Sequence, residues 1–133
     1  MVSFELTEEQ QALQRLAHDF AKKEIRPIAA EVDAIPDPRE AFPWEAVKKA
    51  HQLGFFKLLI PKEYGGLGGS EMDYAVVMEE LGWGDAGFGT IVGAHYLPIC
   101  TIKDFGTEDQ RKRWLTPVCE DTTGTYICAL AST

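Results

Sequence analysis

The first places to look for chemistry are two glycine-rich stretches. Gly82-Trp83-Gly84-Asp85-Ala86-Gly87 fits the G-x-G-x-x-G pattern of dinucleotide-binding turns. That pattern needs a strand before it, so that the pyrophosphate meets the start of the following helix. Here a helical pattern precedes it, and a helix–turn–helix connection is the better reading. Gly65-Gly66-Leu67-Gly68-Gly69 lacks the Gly-Lys-Ser/Thr ending of a phosphate-binding loop. It reads as a turn that needs positive φ values. Arg111-Lys112-Arg113 is the main basic cluster, but consecutive helical residues point in different directions. Glu79-Glu80 and Glu8-Glu9 are adjacent in the same way and read as solvated surface, not as acid–base pairs. The histidines (His18, His51, His95) and cysteines (Cys100, Cys119, Cys128) show no metal-ligand spacing and no C-x-x-C pair. No catalytic residue and no metal site is assigned. His95 reads as a structural histidine and the cysteines as reduced packing residues.

One further pattern could do chemistry. Gly89, Gly93 and Leu97 recur every four residues, with Thr90 beside the first. On a helix this makes a stripe about 12 Å long at 1.5 Å per residue. A stripe of small residues either lets another helix approach or leaves room for a ligand, and spacing alone leaves both open.

The elements that must position these residues are mostly helical. The first helix starts at Thr7, with Gln10 completing a capping box, and its apolar stripe runs through Leu13, Leu16, Ala17, Phe20, Ile28 and Val32. Pro27 lies inside the pattern and should kink the helix without ending it. A second helix begins near Pro43 and is closed by Gly54. The third is capped by Ser70 with Asp73. The fourth runs from about Asp85 to Asp104. The fifth opens with the Thr107–Gln110 capping box and carries Trp114, Leu115 and Val118. Residues 55–60 are apolar but too short to assign by periodicity. Residues 125–133 read as a β-strand. A lone strand would leave its ladder groups unpaired, so it is expected to pair with another chain or to open a further domain. The fold class is therefore all-α, a bundle of about five helices, with a terminal β-strand belonging to a following β-domain. The expected division is residues 1–123 and 124–133.

The chain has 133 residues, 13 basic and 21 acidic, for a net charge of -8. That balance disfavours nucleic acid and anionic membrane as partners. No apolar run is long enough to span a bilayer, and residues 1–5 lack a signal-peptide pattern. A cytoplasmic protein is the default expectation.

Four stretches, taken in order, resemble the N-terminal helical domain of the acyl-CoA dehydrogenase family. They are Phe20-Ala21-Lys22-Lys23-Glu24-Ile25-Arg26-Pro27-Ile28-Ala29; Leu53-Gly54-Phe55-Phe56 with Ile60-Pro61-Lys62-Glu63-Tyr64-Gly65-Gly66-Leu67-Gly68; Glu79-Glu80-Leu81-Gly82; and Phe105-Gly106-Thr107-Glu108-Asp109-Gln110 with Trp114-Leu115-Thr116-Pro117. The resemblance implies a three-domain flavoenzyme with FAD, which desaturates an acyl-CoA thioester at the α,β bond. It implies an electron-transfer flavoprotein as acceptor and a homo-oligomer, tetramer or dimer. It places Gly89, Thr90, Gly93 and Leu97 on the acyl cavity, where two glycines would suit a longer, branched or cyclic acyl group. It places Leu130, Ala131, Ser132 and Thr133 beside the flavin ring, with Thr133 as the motif threonine. The base carboxylate would lie in a C-terminal domain, and this piece alone would be inactive. Competing readings are an acyl-CoA oxidase or flavin monooxygenase on the same scaffold, and a helical interaction module without chemistry.

Overall fold

A computed structural model describes residues 5–132 of the chain. Five helical rods make up the fold. The first is continuous but changes pitch: α1 (Glu8–Phe20), a π-helical turn (Ala21–Ile25) and α2 (Arg26–Asp33). The others are α3 (Trp44–Gln52), α4 (Glu71–Gly84), α5 (Ala86–Phe105) and α6 (Glu108–Glu120), with a single 3₁₀ turn at Lys62–Tyr64. Residues 125–132 form no strand, and no strand occurs among the described residues.

The helix starts follow local chemistry. Thr7 with Gln10, Ser70 with Asp73 and Thr107 with Gln110 each form a reciprocal capping box. Asp85 caps α5 by accepting from the Phe88 N–H at 2.7 Å. These side chains satisfy N–H groups that have no partner inside the helix. At the end of α3, Gly54 sits at φ +86°. The Gly54 N–H reaches the His51 carbonyl and the Phe55 N–H reaches that of Ala50, the two bonds of a Schellman cap. Pro27 does not simply kink its helix. Its ring removes an N–H and crowds the carbonyl four residues back. The chain widens into a π turn just ahead of it.

The core is assembled around a stretch with no regular structure. Phe55, Phe56, Leu58, Leu59 and Ile60 are all buried. Burying side chains of this size stabilises by about 1.5–3 kcal/mol each. Their backbone, however, lacks a helix or sheet to satisfy it. Two side chains of α5 supply partners. The Tyr96 hydroxyl donates to the Phe55 carbonyl and accepts from the Leu58 N–H, both at 2.7 Å. His95 Nε2 lies 2.9 Å from the Phe56 carbonyl. The glycine-rich loop supplies three more: the N–H groups of Leu67, Gly68 and Gly69 donate to the carbonyls of Lys57, Ile60 and Leu58.

That pairing explains the glycines. Gly65 and Gly68 have φ of +91° and +63°, as the sequence suggested. Gly66 and Gly69 are needed for a different reason, the close approach of two backbones. A Cβ at Gly66 would stand 1.9 Å from the Ile60 carbonyl oxygen.

Two predictions follow from this packing. Gly66→Ala should destabilise the chain by about 3 kcal/mol or more in urea unfolding, because a backbone oxygen blocks the methyl group. Gly82→Ala, with open space around its Cβ, should instead be neutral or stabilise by about 0.5–1 kcal/mol. The second concerns pH. Burial holds His95 down at about 4, against an ordinary value of 6.5, with the bond to Phe56 opposing. Between those values the unfolded chain binds the extra proton and the folded chain does not. Stability should therefore fall by on the order of 3 kcal/mol as pH drops from 6.5 to 4. His51 is also shifted down, by burial against the pull of Asp121, and adds to the slope. Unfolding free energies measured across that range check the sign; a flat profile contradicts it.

Candidate functional site

Gly89, Thr90, Gly93 and Leu97 do fall together. All four line one open groove of about 540 Å³ between α4 and α5. The opposite wall is a second stripe at four-residue spacing, Tyr74, Met78 and Gly82 on α4, and Ala86 and Ala94 complete the lining. Tyr74 and Met78 belong to the apolar stripe of α4 and, in sequence, look like ordinary core residues. They are only half-buried, because they face the groove. The helix wheel contains that signal once the partner helix is known.

The two glycines of the stripe act differently. A Cβ on Gly89 would approach Gly82 Cα to 3.3 Å, so Gly89 serves close packing of α5 on α4. A Cβ on Gly93 would meet only the ends of Met78 and Tyr74, at 3.5 and 3.8 Å. Close packing and groove lining are thus both realised, at successive turns of one helix. Thr90 donates its hydroxyl to the Ala86 carbonyl at 2.9 Å, leaving the oxygen lone pairs toward solvent. Leu97 is 56% exposed. The Tyr74 hydroxyl is neutral at physiological pH, and burial pushes its ionisation still higher. The groove is apolar, uncharged and open on the side away from the core, which suits one wall of a site for an apolar chain.

The second set of predicted site residues lies on the C-terminal segment. Leu130, Ala131 and Ser132 are exposed, and none lines the groove. They make no hydrogen bond to described residues, so their backbone donors and acceptors are free for a partner. Thr133 lies outside the described residues. The segment is anchored upstream. Asp121 accepts from the N–H and hydroxyl of Thr123 at 2.8 and 2.6 Å, and from the N–H groups of Thr125 and Tyr126 at 2.9 and 2.8 Å. Burial acts to raise this carboxyl, but the hydrogen bonds outweigh it and hold it down at about 2. Further along, the Cys128 N–H donates to His95 Nδ1 at 3.0 Å.

The remaining features resolve into structural contacts. The G-x-G-x-x-G stretch joins α4 to α5, and a helix precedes it. Glu80 corrects the surface reading: it is half-buried and lies 2.8 Å from His18 Nδ1, and His18 stacks on Trp83. Glu79 is exposed. Within the basic cluster, Lys112 pairs with Glu108, Arg113 lies over Trp114, and Arg111 is half-buried. Cys100, Cys119 and Cys128 are free thiols, and burial pushes Cys119 up to about 11. Among the described residues no cluster of ligands could hold a metal, and no helix is long and apolar enough to cross a membrane.

Comparison with known proteins agrees with this geometry. Residues 7–122 match the family described as Acyl-CoA dehydrogenase, N-terminal domain. The short-chain specific acyl-CoA dehydrogenase of Clostridium acetobutylicum is 38% identical over 121 residues, 90% of this chain and 31% of that protein. The solved butyryl-CoA dehydrogenase of Megasphaera elsdenii superposes with a TM-score of 0.79 at 32% identity, over 95% of this chain and 32% of its own. An acyl-CoA dehydrogenase from Bacillus anthracis, solved in complex with FAD, gives 0.76 at 26% identity, over 96% and 21%. The chain spans about a third of the length of the curated relatives it matches. With its capped helices, its buried irregular segment and its α4–α5 groove, the chain belongs to the acyl-CoA dehydrogenase family as an N-terminal domain.

Proposed function

We propose that this chain is the helical domain of an FAD-dependent enzyme that desaturates an acyl-CoA thioester at the α,β bond. The observation that carries the reading is the groove: four residues singled out by resemblance lie along one face of α5, opposite a second apolar stripe. On this reading residues 1–123 form the helical domain and residues 124–133 begin a β-domain. The groove walls one side of the acyl site. Its apolar lining binds the hydrocarbon and excludes water from the bond to be oxidised.

The exposed backbone of residues 130–132, with the Ser132 hydroxyl, offers donors and acceptors suited to the polar edge of a flavin ring, so the residues present fit the cofactor. FAD, when bound, supplies the acceptor for a hydride from the β-carbon. The chain's own part is to orient the thioester and hold that edge. Its carboxylates all lie outside the groove lining, so the α-proton base belongs to another part of the enzyme. Cytoplasmic placement, a homo-oligomer and an electron-transfer flavoprotein as acceptor belong to the same reading.

The acyl length is sharpened by the glycines. Gly89 is occupied by helix packing, so of the two glycines in the α5 stripe Gly93 alone opens the groove, which weakens the case for a long or branched chain. The C. acetobutylicum relative is named as short-chain specific and the M. elsdenii protein as a butyryl-CoA dehydrogenase. Short straight acyl groups are the expected substrates. Assayed in the full-length enzyme, kcat/KM should peak near butyryl-CoA. Gly93→Leu should lower kcat/KM for hexanoyl-CoA at least about tenfold, a loss of roughly 1.4 kcal/mol of binding, and butyryl-CoA should suffer less. Equal losses for both substrates, or a colourless protein, contradict the assignment.

A further inference from the structure

We infer that His95 is a positioning residue, which sets where the flavin-facing segment leaves the helical domain. The inference rests on the flavin reading of residues 130–132 given above. Its physical basis is a fixed pair of hydrogen bonds on one fully buried ring.

The Phe56 carbonyl can only accept, so His95 Nε2, 2.9 Å away, carries the ring proton. Nδ1 is then left as a pure acceptor, and it meets the Cys128 N–H at 3.0 Å. The two bonds enforce one another. Donation to Phe56 fixes the tautomer, and the tautomer makes Nδ1 available to the segment. The ring is held on both sides, edge-on to Phe56 and to Tyr96 with centroids 5.0 and 5.3 Å away. It therefore has little freedom to follow the segment; the segment follows it.

Two anchors define the path. The Asp121 carboxylate gathers the N–H groups of Thr123, Thr125 and Tyr126 into a tight turn. His95 takes the next bond, at Cys128, and Ile127 and Cys128 pack against the core. From Cys128 to residues 130–132 the chain has at most about 7–14 Å of reach at an extended 3.3–3.6 Å per residue. A displaced Cys128 would shift every downstream donor. His95 also stands two residues from Gly93 and from Leu97, about 200° round the helix, so it lies on the far side of α5 from the groove stripe. One rigid helix thus carries the groove on one face and the segment's anchor on the other. The distance between the acyl wall and the flavin edge is referred to a single element.

Two near-isosteric substitutions separate the two bonds. In His95→Asn, the side-chain oxygen can stand near the Nδ1 position and still accept from Cys128. In His95→Gln, the amide nitrogen can stand near the Nε2 position and still donate to Phe56, but the acceptor for Cys128 is lost. Both should lower thermal stability. In the full-length enzyme, His95→Gln is expected to speed amide exchange at Cys128 and to weaken FAD binding, each by about tenfold, the size of one lost hydrogen bond. The flavin absorption band should shift as well. His95→Asn should change both by about threefold or less. The inference is overturned if FAD binding simply tracks the loss of stability in both variants, or if His95→Gln leaves Cys128 exchange unchanged. A wild-type protein that holds no flavin overturns the functional reading, and with it the flavin part of this inference. Cys128 exchange in the same two variants then still decides whether His95 holds the segment.

Discussion

An irregular backbone placed in an apolar core must find a partner for every N–H and C=O it buries, or lose on the order of 1–3 kcal/mol for each one left unpaired. Residues 55–60 impose that constraint here, and much of the structure answers it. Tyr96 and His95 come from α5 to meet Phe55, Phe56 and Leu58. The loop at residues 65–69 folds back to meet Lys57, Leu58 and Ile60. The loop can come close enough only where side chains are missing, which is why Gly66 and Gly69 stand where they do. The same constraint fixes α5 against the core. A helix held by two polar side chains cannot slide or rotate without breaking them, and a groove on its other face inherits that rigidity.

The groove is built from the same economy of side chains. Gly89 lets the backbone of α5 approach that of α4 at Gly82, and Gly93, one turn further on, leaves space above Met78 and Tyr74. The polar groups on this surface are already engaged or neutral: Thr90 is bonded to its own helix, and the Tyr74 hydroxyl is an uncharged phenol whose ionisation burial pushes further up. Charges are kept to other surfaces. His18 and Glu80 pair beside Trp83, and Glu108 accepts from the Tyr64 hydroxyl at 2.7 Å and binds Lys112. A wall of this kind recognises shape and hydrocarbon; it supplies no proton.

What could be read in the sequence was what depends on near neighbours. The capping boxes, the Gly54 cap and the positive-φ glycines are decided within four or five residues, and they stand in the structure where the pattern put them. The groove stripe on α5 was legible as a stripe, but spacing left its two uses open, and the structure has close packing at Gly89 and groove lining at Gly93. The rest depended on partners far along the chain. Residues 55–60 had no period because their backbone is completed from outside, by the loop at 65–69 and by two side chains about 40 positions away. Tyr74 and Met78 were indistinguishable from core until α5 was set beside them. Glu80 looked like surface because His18, its partner, is 62 positions distant. The terminal segment had strand composition, but strand character comes from a ladder, and no described residue provides one.

The π turn in the first rod has a consequence for how the chain can change. A π turn is an α-helical turn that holds one residue too many. Its buried pair, Ala21 and Ile25, lies against Gly84 at the end of α4, where an added methyl group would come within 3.0 Å of Ala21 Cβ. Removing one residue from this turn would restore an uninterrupted α-helix and leave the downstream faces where they are, because the wide turn takes up the surplus residue without turning the rest of the rod. Closing the turn to α-helical pitch with the residue kept would instead rotate α2 by about 100° relative to Ala17 and Phe20, and Ile28 would leave the core. The wide turn therefore acts as a phase corrector, matching the apolar faces of α1 and α2 to a single core across a proline. A one-residue deletion within it should be tolerated better than a further insertion.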